Sequence, residues 1–285
     1  MRKNVTLTQR LIFIFVFILF FVYSASILYP IFWGLTSSFK NGAIEYFNNS
    51  FGFPKVWIFE NYSNAFEMLS YNGISFYDMT FNSFWLSFCA TFIGIYLLSH
   101  FAYVLARFKF PGNELIIYVS IIMMVIPLYG TLPAAYKYYN MLGITDSPLY
   151  LVIYTGIMGG NQLLITKSFY ANLPEALSEA AKIDGANDWQ IYFKIMMPLA
   201  TGVLLSFFLT NFIANWNDYM TPILYLPSYP TLAAGLFTYQ TIVERSGDFP
   251  LYFAGCAIAM IPIIVLYSLL SNKLVNNLSY GGLKG

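Results

Sequence analysis

The chain has 285 residues, of which 58% are hydrophobic, 20% aromatic and only 9% charged, with a formal net charge of +1. A soluble domain carries about 25% charged residues, so this balance excludes an ordinary soluble globular protein. The near-zero net charge gives no electrostatic footprint for a nucleic-acid partner. Cys89 and Cys256 both fall inside apolar runs, so no disulfide framework is implied.

Crossing a bilayer takes about 20 predominantly apolar residues. Six such runs occur in chain order: Leu11–Leu35, Phe81–Ala106, Leu115–Tyr136, Ser147–Thr166, Leu199–Asn217 (carried to residue 223 as a span) and Leu251–Asn272. The sequence thus predicts an all-α membrane protein of six transmembrane helices. The first run follows Arg2, Lys3 and Arg10, but it is too long for a signal peptide and no small-x-small cleavage site follows, so it is expected to stay as an anchor. Trp33 and Trp85 lie near run ends, as interfacial aromatics do.

Lys and Arg set the orientation. With residues 1–10 inside, ten basic residues are cytoplasmic: Arg2, Lys3, Arg10, Arg107, Lys109, Lys167, Lys182, Lys194, Lys273 and Lys284. Four fall outside: Lys40, Lys55, Lys137 and Arg245. The positive-inside rule then places both termini, the loop 173–198 and the tail 273–285 in the cytoplasm. Residues 36–80 form an outer cap and 224–250 an outer, partly re-entrant connection; 107–114 is a tight inner turn around Pro111-Gly112. Pro30, Pro127, Pro133 and Pro262 are expected to interrupt spans, either as packing kinks or along a translocation pathway.

The loop 173–198 carries charge where the chain has little. Asn172 is a candidate N-cap for a helix over 172–185, with Pro174 in its first turn and Glu175 at the positive end of the dipole. Ala176, Leu177, Ala180 and Ala181 form an apolar stripe with small alanines outward, and Gly185 offers a left-handed stop. A second helix starts near Asn187 or Asp188. Interfacial lipid-bound helices usually carry Lys and Arg on the polar face, whereas Glu175, Glu179 and Asp184 are acidic, which favours a protein partner over lipid.

Glu179-Ala180-Ala181, Gly185, Ile195 and Pro198, preceded by Pro174-Glu175-Ala176-Leu177, resemble the EAA loop of binding-protein-dependent ABC importers. Ser38-Phe39-Lys40, Glu60-Asn61-Tyr62, Asn82-Ser83, Ala102-Tyr103, Ala106-Arg107, Phe110, Gly112, Trp216-Asn217-Asp218-Tyr219 and the tail 280–285 extend the resemblance over nearly the whole chain, specifically to maltose-type carbohydrate permeases. Met197 and Gly202 depart from that pattern, where leucine and a second proline are common. The resemblance implies a type I ABC importer permease fold. It implies two ATPase subunits, a second homologous permease, an extracellular solute-binding protein and a carbohydrate substrate. By position, Glu179, Ala180, Ala181, Asp184 and Gly185 would couple to the ATPase, and Gly281, Gly282 and Lys284 would be the tail that reaches it.

Candidate substrate-path residues are Asn211, Asn215, Trp216, Asn217 and Asn161, whose amides and ring suit a neutral polyol. Asn211 and Asn215 are four apart and share a helix face. Asp218 is read as structural or gating in preference to direct sugar contact, and the lone His100 as bonded to a neighbouring helix in preference to a proton relay. No phosphate-binding Gly-rich loop, Cys/His metal spacing or Ser-His-Asp set occurs, so the chain is expected not to be an enzyme, with ATP and Mg held by the partner ATPase. A secondary transporter or channel for small polar solutes is the alternative. It would need coupling acids or bases within the spans and leaves the acidic loop unexplained.

Overall fold

A computed structural model describes residues 7–125, 131–149 and 160–281. Among them, the long elements are all helical: α1 (Leu7–Ser37), α2 (Gly42–Asn48), α3 (Glu60–Met68), α4 (Phe76–Arg107), α5 (Asn113–Val125), α6 (Thr131–Met141), α7 (Asn161–Asn172) and α8 (Ala176–Ile183). Then come α9 (Asp188–Ile191), a π-helical turn (Tyr192–Met196), α10 (Met197–Leu199), α11 (Thr201–Asn217), α12 (Met220–Tyr225), α13 (Leu232–Ser246) and α14 (Phe249–Gly281).

Three of these helices are long and apolar enough to cross a membrane: Leu7–Ser37, Phe76–Arg107 and Phe249–Leu270. The pair Asp188–Leu199 and Thr201–Asn217, bent by 71°, makes a fourth where the two are counted as one broken span. The expected third and fourth spans include residues 126–130 and 150–159, which lie outside the described residues, as do Gly282 and Lys284 of the expected tail. The expected prolines are partly corrected. Pro30 and Pro262 sit inside unbroken helices, and Pro133 lies in the first turn of α6; Pro127 is outside the described residues. A proline removes one helical hydrogen bond without ending a helix that has apolar residues on either side. The bend at Ala200 does have a proline behind it. Pro198 cannot donate to the preceding turn, and the π-helical turn 192–196 widens the helix next to it.

The chain forms two compact units, Met1–Phe76 with Leu236–Met260, and Tyr77–Gly235 with Ile261–Gly285. In the first unit the segment after α1 is closed by polar groups turned inward. Lys40 is fully buried, and its Nζ donates to the carbonyls of Asn49 (2.7 Å) and Ser50 (2.9 Å) while lying 5.6 Å from the centre of the Tyr46 ring. Burial pushes this ammonium below its ordinary pKa, against the pull of the Glu45 charge. Asn61 donates to the carbonyls of Ser38 (2.7 Å) and Lys40 (2.9 Å), and the Ser38 hydroxyl lies 2.8 Å from that of Tyr62. Phe39 packs 5.1 Å from each of the rings of Trp57, Phe59 and Tyr62. At Gly255 a Cβ would come within 2.5 Å of Leu69, so only glycine lets that part of α14 sit there.

In the second unit the core follows α4. One cluster joins Leu98, Ala102, Tyr103 and Leu105 to Leu163, Tyr170, Ala181, Ile191, Tyr192 and Met196. It therefore packs the C-terminal half of α4 against α7, the loop 173–187 and the π-helical turn. The other end of α4 is tied by Ser83, which accepts from the Leu232 N–H (2.7 Å), and by Asn82, which donates to the Pro230 carbonyl (3.2 Å).

Candidate functional site

The loop after α7 begins with a constraint from Pro174. A residue before proline is pushed to extended backbone, and Leu173 has ψ 139°. That ends α7 at Asn172, so Asn172 closes the preceding helix and does not cap the next one. The expected helix 172–185 is corrected to Ala176–Ile183, with Glu175 before it; the Ser178 hydroxyl donates to the Glu175 carbonyl at 2.9 Å.

The end of this helix is a full Schellman motif. Gly185 has φ +83°, its N–H donates to the Lys182 carbonyl (3.0 Å), and the Ala186 N–H donates to the Ala181 carbonyl (2.9 Å). Ala181 and Ala186 both pack into the α4 cluster, which supplies the hydrophobic contact that accompanies the motif. This overturns the expectation that both alanines face outward. Ala181 is 7% exposed because it is the residue the motif turns toward the core, while Ala180 is exposed. The outer face is made by Ala176, Leu177, Ala180 and Ile183, the last 86% exposed. Asp184 is the exposed C-cap.

The next helix starts as expected. Asn187 accepts from the Gln190 N–H (2.8 Å), and the Gln190 side chain accepts from the Asn187 N–H (2.9 Å), a reciprocal capping box. Lys182 and Asp188 pair across the turn at 3.5 Å, largely in solvent.

Two groups root this loop in the membrane helices. The Arg107 Nη2 at the end of α4 donates to the Leu173 carbonyl (2.6 Å), while its buried Nε has no protein partner. Between Arg107, Tyr103, Glu175, Glu179 and Lys182 lies a cavity of about 170 Å³, so the polar edge of the loop helix faces the end of α4. Deeper, the buried Ser99 hydroxyl lies 2.7 Å from both the Tyr170 and Tyr192 hydroxyls, joining α4, α7 and the π-helical turn at one oxygen. His100 Nδ1 lies 2.9 Å from the Tyr96 carbonyl of its own helix and 3.3 Å from the Tyr192 hydroxyl. Its ring is surrounded by Tyr96, Trp189, Tyr192 and Phe193. The partner across helices is therefore a tyrosine hydroxyl at the root of the loop.

The expected substrate-path residues are placed separately. Gln162 and Asn211 exchange two amide hydrogen bonds (2.9 and 3.1 Å) between α7 and α11, and Asn215 donates to Thr91 of α4 (3.0 Å). Trp216 is 3% exposed and stacks on Phe212. Asn217 donates back to the Ile213 carbonyl within its own helix, and Asn161 is exposed at the start of α7. Asp218 accepts from the Thr221 N–H (3.0 Å) at the start of α12. Beside it, Ser87, Asn215, Asp218 and Thr231 line a cavity of about 30 Å³, room for a water or two and far too small for a sugar ring. Sequence reasoning missed the Ser99 hydroxyl, since a serine inside an apolar run carries no signal. It also missed Gln190, although the Asn-x-x-Gln spacing of the capping box was there to find.

Known proteins fit this arrangement. The family described as "Binding-protein-dependent transport system inner membrane component" matches residues 3–280. The diacetylchitobiose uptake system permease protein of Streptomyces coelicolor is 28% identical over 266 residues, covering 92% of this chain and 86% of that protein. Two Bacillus subtilis proteins are also similar: the galactooligosaccharides transport system permease protein (28% identical, covering 97% of this chain and 96% of that protein) and the maltodextrin transport system permease protein (27% identical, 92% and 92%). Among solved structures, a chain of a bacterial ABC transporter involved in import of the acidic polysaccharide alginate superposes with a TM-score of 0.79 over 94% of this chain and 98% of that one, at 20% identity. That likeness bears out the expected all-α fold, and with the family match it bears out a permease of the type I ABC importer kind. The chain belongs to the family of inner-membrane components of binding-protein-dependent transport systems.

Proposed function

We propose that this chain is one transmembrane subunit of an ATP-driven importer of an oligo- or disaccharide. It forms half of the translocation pathway and has no catalytic role of its own. It works with a second homologous permease, two ATPase subunits that hold ATP and Mg, and an extracellular solute-binding protein. Six spans with both termini cytoplasmic place the loop helix on the ATPase side. Family membership supports a solute-binding partner and a membrane location, and disfavours the secondary-transporter alternative. The named substrates of relatives, diacetylchitobiose, galactooligosaccharides and maltodextrin, support a carbohydrate.

The observation that carries the coupling role is the loop helix itself. Ala176, Leu177, Ala180 and Ile183 offer an apolar face to the outside, while Ala181 packs on the opposite side into the cluster with α4 and α7, and Arg107 of α4 holds the Leu173 carbonyl just ahead of the helix. A push on that face is passed to α4 and α7 together. Glu179 stands beside it, exposed, for a basic group of the ATPase, and the tail with Gly281, Gly282 and Lys284 is assigned a contact with the same partner. The test is uptake of labelled sugar into proteoliposomes holding the reconstituted complex. Glu179→Lys should abolish ATP-driven uptake while the variant still inserts and purifies; normal uptake would sink the coupling role.

A further inference from the structure

We propose that the membrane boundary on the side of the loop helix carries a binding site for an anionic glycerophospholipid, with Lys167 and Lys109 as the groups that hold its phosphate. The proposal rests on the topology reading only in that these helix ends lie at a membrane–water interface.

Lys167 lies in the middle of α7, five residues before that helix ends, which puts it about 8 Å inside the helix end. It directly follows the expected fourth span and is half-buried. Among the described residues it has neither an ion pair nor a hydrogen bond, and the same holds for Lys109. A half-buried ammonium with no protein partner needs a counter-charge or a path to water. Both lysines line one cleft of about 740 Å³, formed with the turn between α4 and α5.

The cleft is amphiphilic in the manner of a lipid site. Its charged lining is Lys109, Lys167 and Glu114, a net positive charge, and its walls include Phe110, Leu115 and Ile117. Glu114 sits in the first turn of α5, outside ion-pair distance of either lysine. The turn is held in shape by Asn113, which donates to the carbonyls of Leu105 (3.2 Å) and Phe108 (2.9 Å), and by Gly112 at φ +93°. From Leu115, 65% exposed, the apolar surface continues along α5 through Tyr118, Val119 and Ile122. A phosphate held between the two lysines would lay its acyl chains along that face. A free anion would leave the apolar walls uncovered, and a protein carboxylate would leave the α5 face uncovered. Basic pockets between helices at the membrane surface are known to hold lipid headgroups in this way.

The test uses the full chain purified in a neutral detergent, its melting followed as dioleoylphosphatidylglycerol, dioleoylphosphatidylcholine or inorganic phosphate is added. Phosphatidylglycerol should protect at lower concentration than phosphatidylcholine, and phosphate should protect little. Lys167→Gln and Lys109→Gln should each raise the half-protecting concentration of phosphatidylglycerol roughly fivefold, the change that matches about 1 kcal/mol per basic group near an anionic surface. Lys167→Arg should stay close to the parent, and it carries the comparison with Lys109→Gln should Lys167→Gln fail to fold. Equal protection by the two lipids, equal protection by phosphate, or a Lys109→Gln, Lys167→Gln double variant with unchanged phosphatidylglycerol dependence would each overturn the site. So would a photocrosslinker at residue 167 that captures the ATPase subunit in place of lipid in the assembled complex. The melting assay contains no ATPase or solute-binding protein, so its outcome is independent of whether the chain transports sugar.

Discussion

Replacing Gly185 probes the coupling helix through its backbone alone. A Cβ built at this position meets nothing within 4 Å, so Gly185→Ala introduces no clash. What it introduces is a side chain at φ +83°, where an L-residue costs roughly 1–2 kcal/mol. That weights the native turn down by a factor of roughly 5–30. Asparagine visits this region more readily, so Gly185→Asn should cost less. Gly185→Pro is of another kind. Its ring fixes φ near −65°, and it deletes the N–H that reaches the Lys182 carbonyl at 3.0 Å, so a cost of about 3 kcal/mol or more falls on one turn. Ala186 would then lose its register with Ala181, and the helix would leave α4 at a different angle. In proteoliposomes with the partner subunits, ATP-driven uptake should fall in the order Gly, Asn, Ala, Pro. The Pro variant should insert and assemble yet fail to link ATP hydrolysis to uptake. Uptake by Gly185→Pro at the parental rate would refute the reasoning, since the turn geometry could then have no part in coupling.

Ser99→Ala should remove one hydrogen bond from each of the buried Tyr170 and Tyr192 hydroxyls, which keep each other and His100, at about 1 kcal/mol each. A melting temperature equal to the parent's would show that the hydroxyl node adds nothing. In a double-mutant cycle, Gln162→Leu and Asn211→Leu should couple by about 1 kcal/mol, the worth of two hydrogen bonds between membrane helices at about 0.6 each. Additive effects would contradict the amide pair. In the segment after α1, Glu45 loses some solvation, but this is outweighed by the N–H groups of Lys55 and Asn41 and by the Lys55 and Lys40 charges, so its pKa falls below the usual carboxylate value near 4.5. That stability is present above the ordinary value and lost as pH falls through the depressed one. Protease resistance of residues 36–60 should therefore drop in that acid window, and a Glu45→Gln variant with the same acid step would rule this out.

How far the sequence carried the structure depended on whether a signal was local. Gly185 and Asn187 were readable because a left-handed stop and an N-cap depend on a few neighbouring residues. The start of the loop helix was misplaced although its cause, Pro174 acting on Leu173, was also local. Which way Ala181 faces was not readable at all, because the α4 cluster decides it. The motif residues mark a family, and several prove to be fasteners: Asn61 closes the segment after α1 on Ser38 and Lys40, and Ser83 holds Leu232. Asn211 and Asn215 share a helix face as the spacing required, yet the face meets Gln162 and Thr91. A fourfold spacing reports a face and says nothing about what lies opposite.

The central claim is that this chain works only as part of an ATP-driven assembly. Gentle solubilisation of the tagged chain from its native membrane, followed by affinity capture, tests that most directly. The account predicts that an ATPase subunit and a second, homologous permease come down with it. Recovery of the chain with neither protein would contradict the account.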